Sequence, residues 1–169
     1  MAQRKAAFPP SVDARTRLLI LGSLPGDASI ARGEYYAHPG NAFWSLMGDV
    51  LGKDLRALPY VERLTRLRAR GVGLWDVIES AERPGSLDGA IRDAALRDLG
   101  GFVAALPELR AVAFNGRTAA RHGRARLGEQ LGGRPGLTLI DLPSSSGAHA
   151  GMSRDAKRAA WMVLADHLA

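Results

Sequence analysis

The chain contains no cysteine. That excludes disulfides, a thiol nucleophile, iron–sulfur clusters and thiolate zinc sites together. Its four histidines, His38, His122, His149 and His167, stand without metal-ligand spacing. No run approaches the ~18 apolar residues that a membrane-spanning helix needs. The opening MAQRKAAFPPSVD lacks the apolar stretch of a signal peptide. It is polar and carries two prolines, so residues 1–14 are expected to form a flexible N-terminal arm. Neither the G-x-x-x-x-G-K-[ST] phosphate loop nor the G-x-G-x-x-G dinucleotide fingerprint occurs. A cytoplasmic protein with no metal and no cofactor is the expectation.

What is present is an ordinary globular composition, 46% apolar and 24% charged over 169 residues. That length suits one domain, placed at residues 15–169. The net charge is +6, with an isoelectric point near 10.5. Such a balance suits a polyanionic partner. Between Arg110 and Arg134 stand six arginines and one acid, Glu129. A solvated helix face would look the same.

Four short apolar runs read as strands: Arg17–Leu21, Gly71–Ile78, Ala111–Phe114 and Leu137–Leu142. They are near-continuous rather than alternating, as in strands covered on both faces. Helical periodicity occupies Phe43–Leu51, Tyr60–Arg70, Leu99–Leu106, Thr118–Leu127 and Ser153–Leu168, the last with a serine cap. This order predicts an α/β fold, a three-layer α/β/α sandwich on a central, mainly parallel four-stranded sheet. Ligands in such sheets bind beyond the carboxyl ends of the strands. The candidate site therefore lies in GSLPG (22–26), the segment from Asp76 to Ser80, NGR (115–117) and PSSSGAHA (143–150).

Each loop has an ordinary reading beside a functional one. GSLPG is a tight strand exit, or a turn whose N–H groups meet a ligand. PSSSG is a serine-rich loop, or a phosphodiester cradle. A serine hydrolase would need a base and an orienting acid; His149 is near, but no G-x-S-x-G elbow exists. Asp76 caps the next segment, or accepts from a ligand N–H at the strand edge. In YYAHPGNAFW (35–44), Asn41 is a good N-cap. Its carboxamide can also accept from a water, and Tyr35 and Tyr36 offer faces to a base. Phe43 and Trp44 are expected in the core.

The order GSLPG, YYAHPGNAFW, GVGLWDV, LPSSS resembles the uracil-DNA glycosylase superfamily across residues 17–165. GSLPG stands at the first motif of that family, Gly-x-Asn/Asp-Pro-Gly/Tyr, and LPSSS at the second. HPGNAFW is similar to the His-Pro-x-Asn-Arg-Phe-Trp segment of the mismatch-specific branch. With LWDVIESAERPGSLDGAI, the set looks most like the hypoxanthine (deoxyinosine) branch. The resemblance implies a monofunctional enzyme that hydrolyses the N-glycosidic bond of hypoxanthine or uracil in DNA, acting as a monomer. It also implies site residues. The usual motif-one Asn/Asp is Leu24 here, and the hypoxanthine branch uses instead the Asn that is Asn41. Tyr36 would stack on the base and Asp76 would read it. The N–H groups of Ser23 and Leu24 would stabilise the departing base. Arg117, Ser144, Ser145 and Ser146 would hold phosphates, and His149 a phosphate or the base. At motif two, Leu142 and Ser146 replace the usual His and stack-filling residue. A non-catalytic nucleic-acid-binding module on the same fold and a serine-loop hydrolase are the competing readings.

Overall fold

The computed structural model describes residues 4–83, 86, 88, 91–130, 136–147 and 151–168. Four strands, β2 (Leu18–Gly22), β3 (Val72–Asp76), β6 (Ala111–Asn115) and β7 (Thr138–Leu142), form a parallel sheet in the order β3-β2-β6-β7. These are the four expected strands, each shifted by a residue or so. Successive side chains alternate between two buried clusters. Leu18, Ile20, Val72, Leu74, Ala111 and Ala113 face α2 (Phe43–Leu51) and α6 (Arg154–Trp161). Leu19, Leu21, Val112 and Phe114 face α4 (Leu99–Ala104) and α5 (Arg117–Gln130). A sheet buried on both faces needs apolar residues at consecutive positions, which is why the strand runs are continuous. The fold is the expected α/β/α sandwich.

Helix α2 buries Phe43, Leu46, Met47 and Val50 on one stripe and ends at Gly52, φ +69°. Phe43 and Trp44 are buried, as expected. The stretch from Ser153 begins with the expected cap, its Oγ accepting from Ala156 N–H at 3.1 Å. The α-helix stops at Trp161 and continues as a 3-10 helix over Met162–His167. Helix α3 (Tyr60–Ala69) lies where periodicity placed it.

Three features differ from the sequence reading. The single strand expected over 71–78 is two. β3 ends at Asp76, and β4 (Ile78–Glu82) leaves to be the middle strand of a second, antiparallel sheet. Its partners are β1 (Arg4–Ala6) and β5 (Arg92–Leu96), polar strands with no apolar run to betray them. From Arg4 onward, the expected free arm is tied down. β1 pairs with β4, Ser11 exchanges hydrogen bonds with Leu74, and Phe8 packs on Tyr35. Backbone pairing along β3 and β4 is what holds it. A short helix, α1 (Asp27–Arg32), follows GSLPG.

Strand order reverses around β2: its crossover leads to β3 on one side, while the next leads back to β6 on the other. That switch point is where an open sheet parts its loops and leaves a crevice.

Candidate active site

A cleft of about 800 Å³ opens at that switch point. Its floor is the carboxyl-end row of the sheet. Gly22 is level with Asp76 and Asn115 with Leu142. Its walls are GSLPG, the tyrosine–histidine turn and the serine loop. Of the expected site residues, Ser23, Leu24, Tyr36, Asn41, Asp76, Arg117, Ser144, Ser145 and Ser146 all line it. His149 lies outside the described residues.

GSLPG is held from beneath. The buried Arg83 guanidinium donates to Leu24 O at 3.4 Å and to Pro25 O. Ile78 N–H takes Ser23 O at 3.1 Å. Ser23 Oγ donates to Asp88 at 2.7 Å, and Asp88 pairs with Arg83 at 3.4 Å. The loop's carbonyls are thus occupied. The N–H groups of Ser23 and Leu24 have no partner among the described residues. They are donors for something in the cleft. The Leu24 side chain is buried in the core, so the loop offers no side-chain acceptor at that position. Burial lowers the pKa of Arg83 and Asp88 opposes the shift. Arg83 and Asp88 were missed as site residues; both lie in AERPGSLDG, whose local pattern reads only as a turn.

Asp76 ends β3, 3% exposed, with Oδ2 buried and unpartnered. Burial pushes its carboxyl up to about 7; Arg97 and Arg83 pull it down and Asp88 pushes it further up. Arg97 itself lies over the Trp75 ring at 4.1 Å rather than on Asp76. A Cβ on Gly22 would stand 2.6 Å from Asp76 Oδ1 and 2.9 Å from the Tyr36 hydroxyl. Only glycine leaves room for both. Gly22→Ala is therefore expected to displace them, costing about 1–3 kcal/mol of stability and abolishing base binding. A thermal melt beside a ligand titration checks both halves.

Tyr36 sits in the left-handed region, φ +55°. One face of its ring is stacked on Phe43, centroids 3.9 Å apart. Its hydroxyl, near Asn115, is buried without a hydrogen-bond partner, and burial raises its pKa strongly. The Tyr35 ring is core, its hydroxyl donating to Pro9 O at 2.8 Å.

Asn41 reaches the cleft from the turn before α2. Its Oδ1 accepts from Phe43 N–H at 2.9 Å, while the cap position itself is Ala42. The expected N-cap is thus an Asx turn one residue earlier. The bond fixes which end of the carboxamide is oxygen and leaves that oxygen a second lone pair. His38 Nδ1 accepts from Gly40 N–H at 2.9 Å, which shapes the turn.

The serine loop is more clamp than cradle. Ser145 is buried: its N–H donates to Asn115 Oδ1 and its Oγ accepts from Asn115 Nδ2, both at 2.9 Å. Its carbonyl takes Ala42 N–H at 2.8 Å, and Lys157 Nζ holds Ser146 O at 3.1 Å. A Cβ on Gly147 would be 2.7 Å from Gly40 O. The loop therefore braces the Asn41 turn. For Ser145 this corrects the phosphate assignment, because the residue is 1% exposed and its N–H is spent on Asn115. Ser144 and Ser146 remain at the rim, and the exposed Arg117 starts α5 beside them. His149, the histidine near this loop that a serine hydrolase would draw on, lies outside the described residues. Asn115 lies in the NGR loop expected at the site, but no local pattern assigned it this bracing role.

The model of the Uracil DNA glycosylase superfamily matches residues 9–165. The chain belongs to the uracil DNA glycosylase superfamily. Among superfamily relatives, a protein of Methanosarcina acetivorans named hypoxanthine DNA glycosylase is 39% identical, aligned over 96% of this chain and 99% of its own. Its namesake in Methanosarcina barkeri is 38% identical over 94% and 96%. A solution NMR structure of a Methanosarcina acetivorans protein, described as a candidate uracil DNA glycosylase, superposes with a TM-score of 0.85. It is 38% identical and covers 98% of this chain and 99% of that one. The superfamily membership agrees with the resemblance read from the motifs.

Proposed function

We infer that the chain is a monofunctional DNA glycosylase that removes deaminated bases, hypoxanthine and uracil, in base-excision repair. The observation that carries this is Asp76, a buried carboxylate without a partner, in the same cleft as Asn41 and the free N–H groups of Ser23 and Leu24. The glycosidic bond is inaccessible inside a duplex, so the nucleotide is flipped into the cleft. Asp76 accepts the ring N–H of the base, N1–H of hypoxanthine or N3–H of uracil. Adenine presents a lone pair there. An unpaired buried acceptor costs about 1–3 kcal/mol, which disfavours the normal base.

The bond between C1′ and the base breaks, and its electron pair leaves with the base. The N–H groups of Ser23 and Leu24 stabilise that negative charge. A water held on the free lone pair of Asn41 Oδ1 adds to C1′ as the sugar cation is quenched, and its proton passes through solvent to the anionic base. A neutral carboxamide is a weak base, but a cationic sugar needs little help. Arg117, Ser144, Ser146 and His149 hold the DNA backbone, consistent with the basic charge. The reading also places the protein in the cytoplasm, at the nucleoid, as a monomer without metal. No helix among the described residues is long and apolar enough to cross a membrane.

The second reading, a DNA-binding module without activity, is favoured by one observation: motif one carries no side-chain acceptor at Leu24. A panel of single- and double-stranded oligonucleotides bearing uracil, hypoxanthine, xanthine or mismatched thymine separates the two. Alkali-labile sites at hypoxanthine and uracil are expected. Salt-sensitive binding without such sites would support the module instead.

A further inference from the structure

Tyr36 carries two unfavourable features at once. It holds the one positive φ found at a non-glycine residue among those described, a conformation rare for bulky side chains. Its hydroxyl is buried and completes no hydrogen bond, since the Asn115 carboxamide close by is engaged with Ser145, although buried polar groups nearly always find a partner. Core packing explains neither, because stacking on Phe43 needs the ring alone. A second unsatisfied atom, Asp76 Oδ2, belongs to the same cleft. All converge on Gly22, whose missing Cβ admits both the Tyr36 hydroxyl and Asp76 Oδ1. Strain and orphaned polar atoms persist together where a ligand completes them.

We propose that the Tyr36 hydroxyl and Asp76 form a two-point reader of the lactam edge: the hydroxyl donates to the exocyclic oxygen and the carboxylate accepts the adjacent ring N–H. This rests on the base-excision reading of the cleft and specifies its substrate class. Tyr36 then works through its hydroxyl rather than by stacking its ring on the base.

A carbonyl beside an N–H is what deamination of adenine or cytosine creates. The parent bases show an amino group beside a lone pair, which faces the Asp76 carboxylate unfavourably. Deamination of guanine to xanthine changes C2 and leaves this edge unaltered. The pair therefore separates hypoxanthine from adenine and uracil from cytosine, while guanine, xanthine and thymine, which share the edge, must be sorted by the shape of the rest of the cleft.

The test is titration of the full chain with free hypoxanthine, uracil, adenine and cytosine, for wild type and Tyr36→Phe. Phenylalanine keeps the stack on Phe43, so the unfolding midpoint should hold or rise. Affinity for hypoxanthine and uracil should fall roughly tenfold, the scale of one hydrogen bond, with adenine and cytosine unchanged. Unchanged hypoxanthine affinity would overturn the proposal, as would equal losses for all four bases. A ligand-side counterpart needs no variant. 6-Mercaptopurine keeps N1–H but replaces the oxygen with a weak acceptor. Wild type should bind it as weakly as Tyr36→Phe binds hypoxanthine; equal affinity for the two would also overturn the pair. A protein that passes these tests but releases no base from DNA loses the excision reading and keeps the reader. One that excises hypoxanthine with unaltered Tyr36→Phe affinity does the reverse.

Discussion

Asn41→Ala should slow single-turnover release of hypoxanthine from a deoxyinosine duplex by about a hundredfold or more, with DNA affinity nearly intact. The reason is that Asn41 supplies the cleft's side-chain acceptor for water, while Leu24 at the motif-one position is buried and apolar. The substitution also removes the bond from Phe43 N–H to Oδ1. Loss of such a helix-start bond costs about 1 kcal/mol, too little to unfold a domain of this size. The fall should appear in the chemical step and not in binding. Asn41→Asp is informative beside it. A carboxylate keeps both acceptor roles, so activity should largely return. Near-normal release by folded Asn41→Ala would remove Asn41 from catalysis.

The second large effect concerns Asp76, where function and stability pull apart. Its carboxyl is pushed up to about 7, chiefly by burial, from an ordinary value near 4. The folded state therefore binds more protons than the unfolded chain between about pH 4 and pH 7. Stability falls as pH rises through that window and stays low above it. Asp76→Asn removes the titration. The variant should gain on the order of 3–4 kcal/mol over wild type at pH 8, and little below pH 4. Denaturant midpoints at both pH values give the comparison; an equal change at both would contradict it. The same variant should lose selectivity. An amide can turn either its oxygen toward hypoxanthine N1–H or its NH₂ toward adenine N1. The ratio of hypoxanthine to adenine binding should collapse. An unpaired buried charge kept at such a cost is the mark of a site selected for binding over stability.

The parallel sheet was legible because β2, β3 and β6 are buried on both faces and leave continuous apolar runs, while β7 at the edge is only partly covered. The antiparallel sheet was not, because RKA, IESAE and RDAAL set charged residues between the few they bury, Ile78 and Ala81 among them, so no continuous apolar run forms. The break at Val77 was equally hidden: Trp75, Val77 and Ile78 surround Asp76 with apolar residues, and the turn shows in backbone bonds, Val77 N–H donating to Gly22 O at 2.8 Å and Arg97 N–H to Val77 O at 3.1 Å. At the site, residue types next to strand ends were readable, so Asp76 and the two glycine loops could be named, as could Asn41 at the start of a helix. The interlocking of the loops could not. The bonds from Asn115 to Ser145 and from Arg83 to Leu24 span 30 and 59 positions, and no local pattern records them. The orientation of Tyr36 depends on a single positive φ that no residue preference would suggest.

The most direct measurement is a structure of Asn41→Ala bound to a deoxyinosine duplex. The account places hypoxanthine in the cleft over Gly22, N1–H within hydrogen-bond distance of Asp76. C1′ should face the space that the Asn41 carboxamide vacates. A base still stacked in the duplex, or bound away from this cleft, would contradict it.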